Sequence, residues 1–163
     1  MQKPRTSVDR LLSVAASASV LLAVVSVTLF TLSNRPRSPY NVGDRFDEIP
    51  ELNLQSAPAT LLMFVNSACG PCTDSLPLYT KLLASSRRAK VVAIGRESEP
   101  GLSLFFAGAD ARPDAVLSIG DRPTRFKVTP TLVLVRSDRS IAAVWTGKLQ
   151  SLKDEVDLLR TLR

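Results

Sequence analysis

Short apolar runs alternate with polar turns along the second half of the chain. Continuous apolar runs of a few residues predict buried strands, whereas apolar positions three and four residues apart predict one face of a helix. We predict strands at residues 60–66, 91–95, 114–118, 132–135 and 141–145. We predict helices at residues 71–85, 100–107 and 150–162. Strands and helices alternate early and an antiparallel pair comes late, which predicts an α/β sandwich with helices on both faces of a mixed central sheet.

Prolines refine this pattern at several places. Pro77 falls inside the first predicted helix, where a proline removes a backbone hydrogen bond and kinks the helix. Pro130 lies close to the start of the fourth predicted strand, where a proline is tolerated and the preceding bond is a candidate for the cis form. Ser98 and Pro100 fit the cap and the first turn of the second predicted helix.

The longest apolar segment, residues 11–32, lies near the N-terminus and carries no charged side chain. As a helix, its 22 residues extend over about 33 Å, which exceeds the bilayer hydrocarbon core of about 30 Å. Lys3, Arg5 and Arg10 precede it and favour a cytoplasmic N-terminus. The segment therefore predicts a single transmembrane helix. A cleaved signal peptide is the alternative, although its apolar region is normally shorter.

The chain is thus expected to have four parts, which are a cytoplasmic tail at 1–10, a transmembrane anchor at 11–32, a tether at 33–41 and a domain at 42–163. The last part has the length of one domain with one core. This organisation predicts a single-pass protein of the cytoplasmic membrane whose domain faces the periplasm or another extracytoplasmic space. Disulfides persist in such a compartment.

The net charge of +6 does not predict a nucleic-acid partner. Five of the 21 basic residues, but only one of the 15 acidic ones, lie in residues 1–37. The rest of the chain is therefore nearly balanced. A basic N-terminal segment beside an apolar helix is expected to fix membrane topology or to contact anionic headgroups.

Cys69 and Cys72 are the only cysteines and lie where a predicted strand runs into a predicted helix. A cysteine at a helix N-terminus faces unpaired N–H groups and the positive end of the helix dipole, and both favour its thiolate. Pro71 fits the first helical turn, and Gly70 permits the tight backbone path. Cys72 lies about one turn further, close enough to form a disulfide with Cys69 or to resolve a mixed disulfide. The pattern predicts a dithiol redox site that needs no metal and no cofactor beyond this disulfide.

Other uses of a Cys-x-x-Cys pair fit less well. A structural zinc site needs about four ligands, and this chain offers two thiols and no histidine. A c-type haem attachment needs a histidine where Thr73 stands. A purely structural disulfide across so short a loop would constrain the unfolded chain very little. Cu(I) binding by the two soft thiols, without catalysis, stays open as an alternative.

Taken together, these residues resemble thioredoxin-like proteins, and within them the membrane-anchored TlpA/ResA type. The resemblance covers residues 40–162 and depends on the motifs at 42–44, 69–72, 77, 128–130 and 137–140. It implies a thioredoxin-like three-layer sandwich, a cis bond between Thr129 and Pro130, and a substrate-positioning role for these two residues. A peroxiredoxin-like peroxidase is an alternative, although that family has a threonine where Asn66 stands.

The resemblance also implies an activity. The implied activity is that of a protein-disulfide oxidoreductase, which acts on client proteins that carry disulfides. A membrane electron donor would reduce the enzyme again after each cycle. The Gly-Pro pair between the cysteines resembles the reducing thioredoxins, so we expect a reductant. Ala68 stands where the family usually carries tryptophan, and Met63 lies near the place of a buried carboxylate in thioredoxin proper. No acidic residue lies between Glu51 and Asp74, so water or a group distant in sequence is expected to accept the Cys72 proton.

Overall fold

The computed structural model describes residues 39–85, 89–108, 110–149 and 152–161, together with Leu22, Val25 and Ser26. The chain divides into two compact units, Met1–Arg35 and Pro36–Arg163. The three described residues of the first unit are helical and exposed. No helix formed by the described residues is both long and apolar enough to span a bilayer. Apart from those three positions, the predicted tail and anchor lie outside the described residues, as does most of the tether.

The described part of the second unit has five strands, four helices and a 3₁₀ turn at Leu54–Ser56. The strands are β1 (Ala59–Phe64), β2 (Ala89–Gly95), β3 (Ala115–Ser118), β4 (Thr131–Arg136) and β5 (Ile141–Thr146). The helices are α1 (Gly70–Asp74), α2 (Leu76–Ser85), α3 (Glu99–Ala107) and α4 (Leu152–Thr161). Each predicted strand is confirmed to within two residues, and the first predicted helix is divided into α1 and α2.

The division between α1 and α2 follows from Pro77. A proline has no N–H to donate to the carbonyl four residues earlier, here that of Thr73. The first helix ends at Asp74 and is capped by Ser75, whose N–H donates to the carbonyl of Cys72 at 3.1 Å. The Ser75 hydroxyl donates to the carbonyl of Pro71 at 2.7 Å, and the Tyr79 N–H continues the chain of bonds by donating to the Ser75 carbonyl at 3.0 Å. The predicted kink is confirmed as a break between α1 and α2 at Ser75, two residues before Pro77.

The sheet has the strand order β3-β2-β1-β4-β5. Strands β1, β2 and β3 are parallel to one another, whereas β4 is antiparallel to β1 and β5 is antiparallel to β4. The mixed sheet and its late antiparallel pair are therefore confirmed. Because side chains alternate across a strand, Leu61 and Met63 of β1 lie in one core and Leu62 and Phe64 lie in the other.

The two faces of the sheet are covered by different kinds of structure. Buried side chains from all four described helices pack on one face, and these are Cys72, Tyr79, Leu82, Leu102, Phe106 and Leu158. The opposite face is covered by non-helical segments before β1 and after β3, through Tyr40, Phe46, Ile49, Leu52, Leu54, Ile119 and Phe126. The prediction of helices on both faces is therefore wrong for the described residues. The third layer exists, but irregular chain forms it.

The strand order explains why these helices share a face. The two parallel crossovers, from β1 to β2 and from β2 to β3, move in the same direction across the sheet. Parallel crossovers are right-handed in nearly all proteins, so two in the same direction place their helices on the same side. The C-terminal helix joins them there, since Lys81 of α2 pairs with Glu155 of α4 at 2.8 Å.

Candidate active site

The strand register places three segments at one edge of the sheet. Phe64, the last residue of β1, pairs with Ile94 of the parallel β2 and with Thr131, the first residue of the antiparallel β4. The turn after β1, the residues after β2 and the residues before β4 therefore meet. Cys69 lies on the first of these segments and Thr129 on the last.

Cys69 caps helix α1, as the sequence predicts. Its backbone is extended (φ −89°, ψ 111°), and its carbonyl accepts from the N–H of Cys72 at 3.0 Å and of Thr73 at 3.1 Å. The N–H of Cys72 also points at the Cys69 sulfur, with 3.4 Å between the nitrogen and Sγ. Pro71 occupies the first turn, where its missing N–H leaves no partner unsatisfied.

The two thiols are free, and their environments differ. Cys69 is partly exposed, whereas Cys72 is buried. Partial burial of Cys69 opposes ionisation. Hydrogen bonds with the Cys72 thiol, with Thr129 and with the Cys72 N–H outweigh it and lower the pKa of Cys69. Burial, and next the hydrogen bond with Cys69, raises the pKa of Cys72 to about 12. The arrangement therefore gives one ionisable thiol at the surface and one protonated thiol beneath it.

The segment before β4 brings a backbone carbonyl to the exposed sulfur. The Thr129–Pro130 peptide bond is cis. The Cys69 thiol donates to the carbonyl oxygen of Thr129, with 3.3 Å between sulfur and oxygen. The Thr131 hydroxyl donates to the Val128 carbonyl at 2.7 Å, which closes the turn around the proline. The structure thus brings Thr129 and Pro130 together with the Cys-x-x-Cys turn.

The turn before Cys69 is held by two groups that the sequence analysis did not single out. The side-chain oxygen of Asn66 accepts from the N–H of Ala68 at 2.8 Å. The Glu97 carboxylate accepts from the N–H of Ser67 at 2.7 Å and also from the Ser67 hydroxyl. An asparagine that bonds its own backbone two residues on is a known turn signal, so Asn66 could have been found. Glu97 is 30 residues from Ser67 and left no local signal.

Comparisons with known proteins agree with this architecture. No protein-family model and no curated protein matches the chain. A solved structure described as a thiol:disulfide interchange protein DsbE from Chlorobium tepidum is similar over 71% of this chain and 98% of its own, with 22% identity and a TM-score of 0.54. The thioredoxin domain of a thiol-disulfide oxidoreductase from Bacteroides vulgatus is similar over 76% and 99%, with 13% identity and a TM-score of 0.59.

A third solved structure is that of a secreted disulfide oxidoreductase from Mycobacterium tuberculosis, described as homologous to E. coli DsbE. It is similar over 77% of this chain and 98% of its own, with 15% identity and a TM-score of 0.54. The protein has the thioredoxin-like fold. Nearly the whole of each solved chain is covered in all three comparisons.

In this thioredoxin-like domain, residues 119–130 form an approach loop that leads into the cis proline. Ion pairs fix the loop to the segment before β1. The Arg122 guanidinium donates two bonds of 2.7 Å to Glu51, and the Arg125 guanidinium pairs with Glu48. Glu48 also accepts from the Arg125 N–H at 3.0 Å. The non-helical layer therefore supports the loop that carries Thr129.

Within the described part of this domain, no group of three or more His, Cys, Asp or Glu residues lies close enough together to hold a metal ion. The two thiols by themselves provide only two soft ligands.

Proposed function

We propose that the protein is a thiol–disulfide oxidoreductase that acts on protein disulfides through a Cys69–Cys72 dithiol cycle. The observation that carries the proposal is the Cys72 N–H, 3.4 Å from the Cys69 sulfur at the N-terminus of α1. This contact favours the thiolate of the exposed cysteine, while the second thiol lies buried beneath it. The names of the structurally similar proteins support the same activity.

The cycle begins when the Cys69 thiolate attacks one sulfur of a client disulfide. The client S–S bond breaks, a mixed disulfide forms, and the other client sulfur leaves as a thiolate. The Cys69 thiol no longer hydrogen-bonds Cys72 in this intermediate, so the pKa of Cys72 falls although burial still raises it. Cys72 loses its proton to solvent and attacks the Cys69 sulfur, which releases the second client thiolate. Two electrons pass from the protein to the client, and the protein keeps a Cys69–Cys72 disulfide.

A second dithiol must then reduce this disulfide. We propose that the net flow is towards the client, because Gly70 and Pro71 between the cysteines match the reducing thioredoxins. A dithiol donor in the membrane would restore the Cys69 and Cys72 thiols. The membrane anchor predicted over residues 11–32, and the secreted neighbour from Mycobacterium tuberculosis, support an extracytoplasmic site of action.

Thr129 and Pro130 are proposed to position the client. An extended client segment that lies beside Thr129 would place its disulfide against the Cys69 sulfur, because the Thr129 carbonyl is 3.3 Å from that sulfur. Pro130 is buried and has no backbone N–H to donate. The client backbone would therefore form its hydrogen bonds with Thr129 rather than with Pro130.

The test uses the full chain in detergent micelles, with insulin as the disulfide and dithiothreitol as the recycling donor. The wild type is expected to reduce insulin well above the rate of dithiothreitol alone, and Cys69→Ser is expected to match that background. Cys72→Ala in cells should accumulate adducts on Cys69 that disappear on reduction, whereas the double variant should form none.

The absence of both insulin reduction and adducts would overturn the proposal. Hydrogen peroxide consumption and cuprous-ion titration of the same samples test the two alternatives. Rapid peroxide turnover, or tight stoichiometric copper without reductase activity, would replace the proposed function by one of them.

A further inference from the structure

A cleft of about 350 Å³ lies between the residues after β1 and the approach loop, close to the turn that carries Cys69. Its wall includes Asn66 and Thr129, and both residues bond to Cys69. The carbonyl of Asn66 accepts from the Cys69 N–H at 3.1 Å, and the carbonyl of Thr129 accepts from its thiol. A group in the cleft would therefore contact residues that themselves contact Cys69.

The cleft carries positive charge from Arg96 and Lys127, and none of the described acidic residues lines it. The Arg96 guanidinium donates to the carbonyls of Gly120 and Arg122 at 3.1 and 3.3 Å and to the Thr124 hydroxyl at 3.3 Å. All three acceptors are uncharged. The structure therefore holds this guanidinium in place without neutralising it.

The other described side chains that line the cleft carry no negative charge. The Arg96 guanidinium stacks over the Phe126 ring at 5.4 Å, which orients it further. Lys127 is exposed and makes no ion pair within the described part of the chain. The Glu97 carboxylate, next to Arg96 in sequence, accepts hydrogen bonds from Ser67 and is not part of the cleft lining.

The two arginines of the approach loop itself differ from Arg96, which follows β2. Arg122 and Arg125 are each paired with a glutamate of the segment before β1, so their charges are balanced. Of the three basic residues of this loop, Lys127 is the one without an ion pair among the described residues, and it faces the cleft. Asp121, the acidic residue of the loop, does not line the cleft. Such a site attracts anionic groups and disfavours cations, since like charges brought together repel.

We propose that the cleft selects client segments that carry aspartate or glutamate beside the cysteine under attack. This inference rests on the proposed function. An extended client lying along Thr129 would place a neighbouring side chain into the cleft, where a carboxylate meets Arg96 and Lys127. The substrate class is therefore an acidic, disulfide-bearing polypeptide segment.

The test compares three disulfide-linked peptides of equal length that carry Glu, Gln or Lys next to one cysteine. The full chain in detergent micelles reduces each peptide, and the measured quantity is the ratio of kcat/KM for the Glu peptide to that for the Lys peptide. Comparing this ratio between variants cancels the intrinsic reactivity of each peptide. Exposed charge pairs each change affinity by a few-fold, so Lys127→Glu should lower the ratio by about three- to tenfold.

Arg112→Glu is the matched control. Arg112 is exposed and precedes β3, at the edge of the sheet opposite to the carboxyl ends of β1 and β2. Its charge reversal should leave the ratio within about twofold of the wild-type value. Raising the salt concentration should lower the wild-type ratio of kcat/KM for the Glu peptide to that for the Lys peptide towards the ratio of Lys127→Glu, because salt screens exposed charges.

The inference would be overturned if Lys127→Glu leaves the ratio unchanged. It would also be overturned if Lys127→Glu and Arg112→Glu lower the ratio equally. The Gln peptide separates this result from a failure of the proposed function. If all variants reduce the Gln peptide and only the charge preference is absent, the oxidoreductase proposal stands and the acidic specificity is rejected. If even the wild type does not reduce the Gln peptide, both are rejected.

Discussion

Alkylation of the reduced protein should modify Cys69 and spare Cys72 over the whole neutral pH range. Only the thiolate reacts, so the rate follows the ionised fraction of each thiol. With a pKa of about 12, Cys72 is ionised in about one molecule in 10⁵ at pH 7. An ordinary cysteine with a pKa of about 8.5 is ionised about 3,000 times more often at that pH.

The pKa of Cys69 is lowered, so its advantage over Cys72 should exceed this factor. Burial of Cys72 adds to the difference by excluding the reagent. The assay treats the reduced full chain in detergent micelles with iodoacetamide between pH 5 and 10, and mass spectrometry of the two labelled peptides gives each rate. The midpoint of the Cys69 profile should fall below that of free cysteine.

Denaturant supplies the control for this experiment. In guanidinium chloride the buried environment is lost, and the two cysteines should react at similar rates with midpoints near that of free cysteine. The reasoning is refuted if the folded protein alkylates Cys72 within tenfold of Cys69, or if the midpoint of Cys69 equals that of the unfolded chain. Either result would mean that α1 does not separate the two thiols electrostatically.

Two further predictions concern stability and the turn before the cysteines. Tyr79→Phe should leave the free energy of unfolding unchanged or raise it by up to about 1 kcal/mol, because the buried Tyr79 hydroxyl makes no hydrogen bond within the described residues. Urea denaturation of the reduced protein tests this, and a loss above 1 kcal/mol would contradict it. Glu97→Ala should lower stability by about 1 kcal/mol through its lost bonds to Ser67, and Glu97→Gln should lower it less. Equal losses in the same denaturation experiment would show that bonding to the turn is not what Glu97 contributes.

The elements of the fold were predictable because each has a local cause. The apolar run of β1 and the cap of α3 at Ser98 come from neighbouring residues, and both lie where the sequence predicts them. The break between α1 and α2 follows from a single missing N–H at Pro77. The distribution of helices was not predictable in this way, since it depends on the order in which strands pair. The pattern of apolar residues gives each strand two buried faces but does not say what covers them.

The same distinction between local and long-range causes applies to the candidate site. The helix cap at Cys69 and its hydrogen bond from the Cys72 N–H are determined by local sequence, because a cap and its first turn involve residues at most four positions apart. The burial of Cys72 depends on the tertiary structure. The contacts of Ser67 with Glu97 and of Cys69 with Thr129 span 30 and 60 residues, and only the tertiary structure makes them. The register of β1 against β2 and β4 brings those segments to one edge of the sheet. Strand register is set by long-range pairing and core packing rather than by local preference, so the cleft with Arg96 and Lys127 in its lining became visible only in the folded chain.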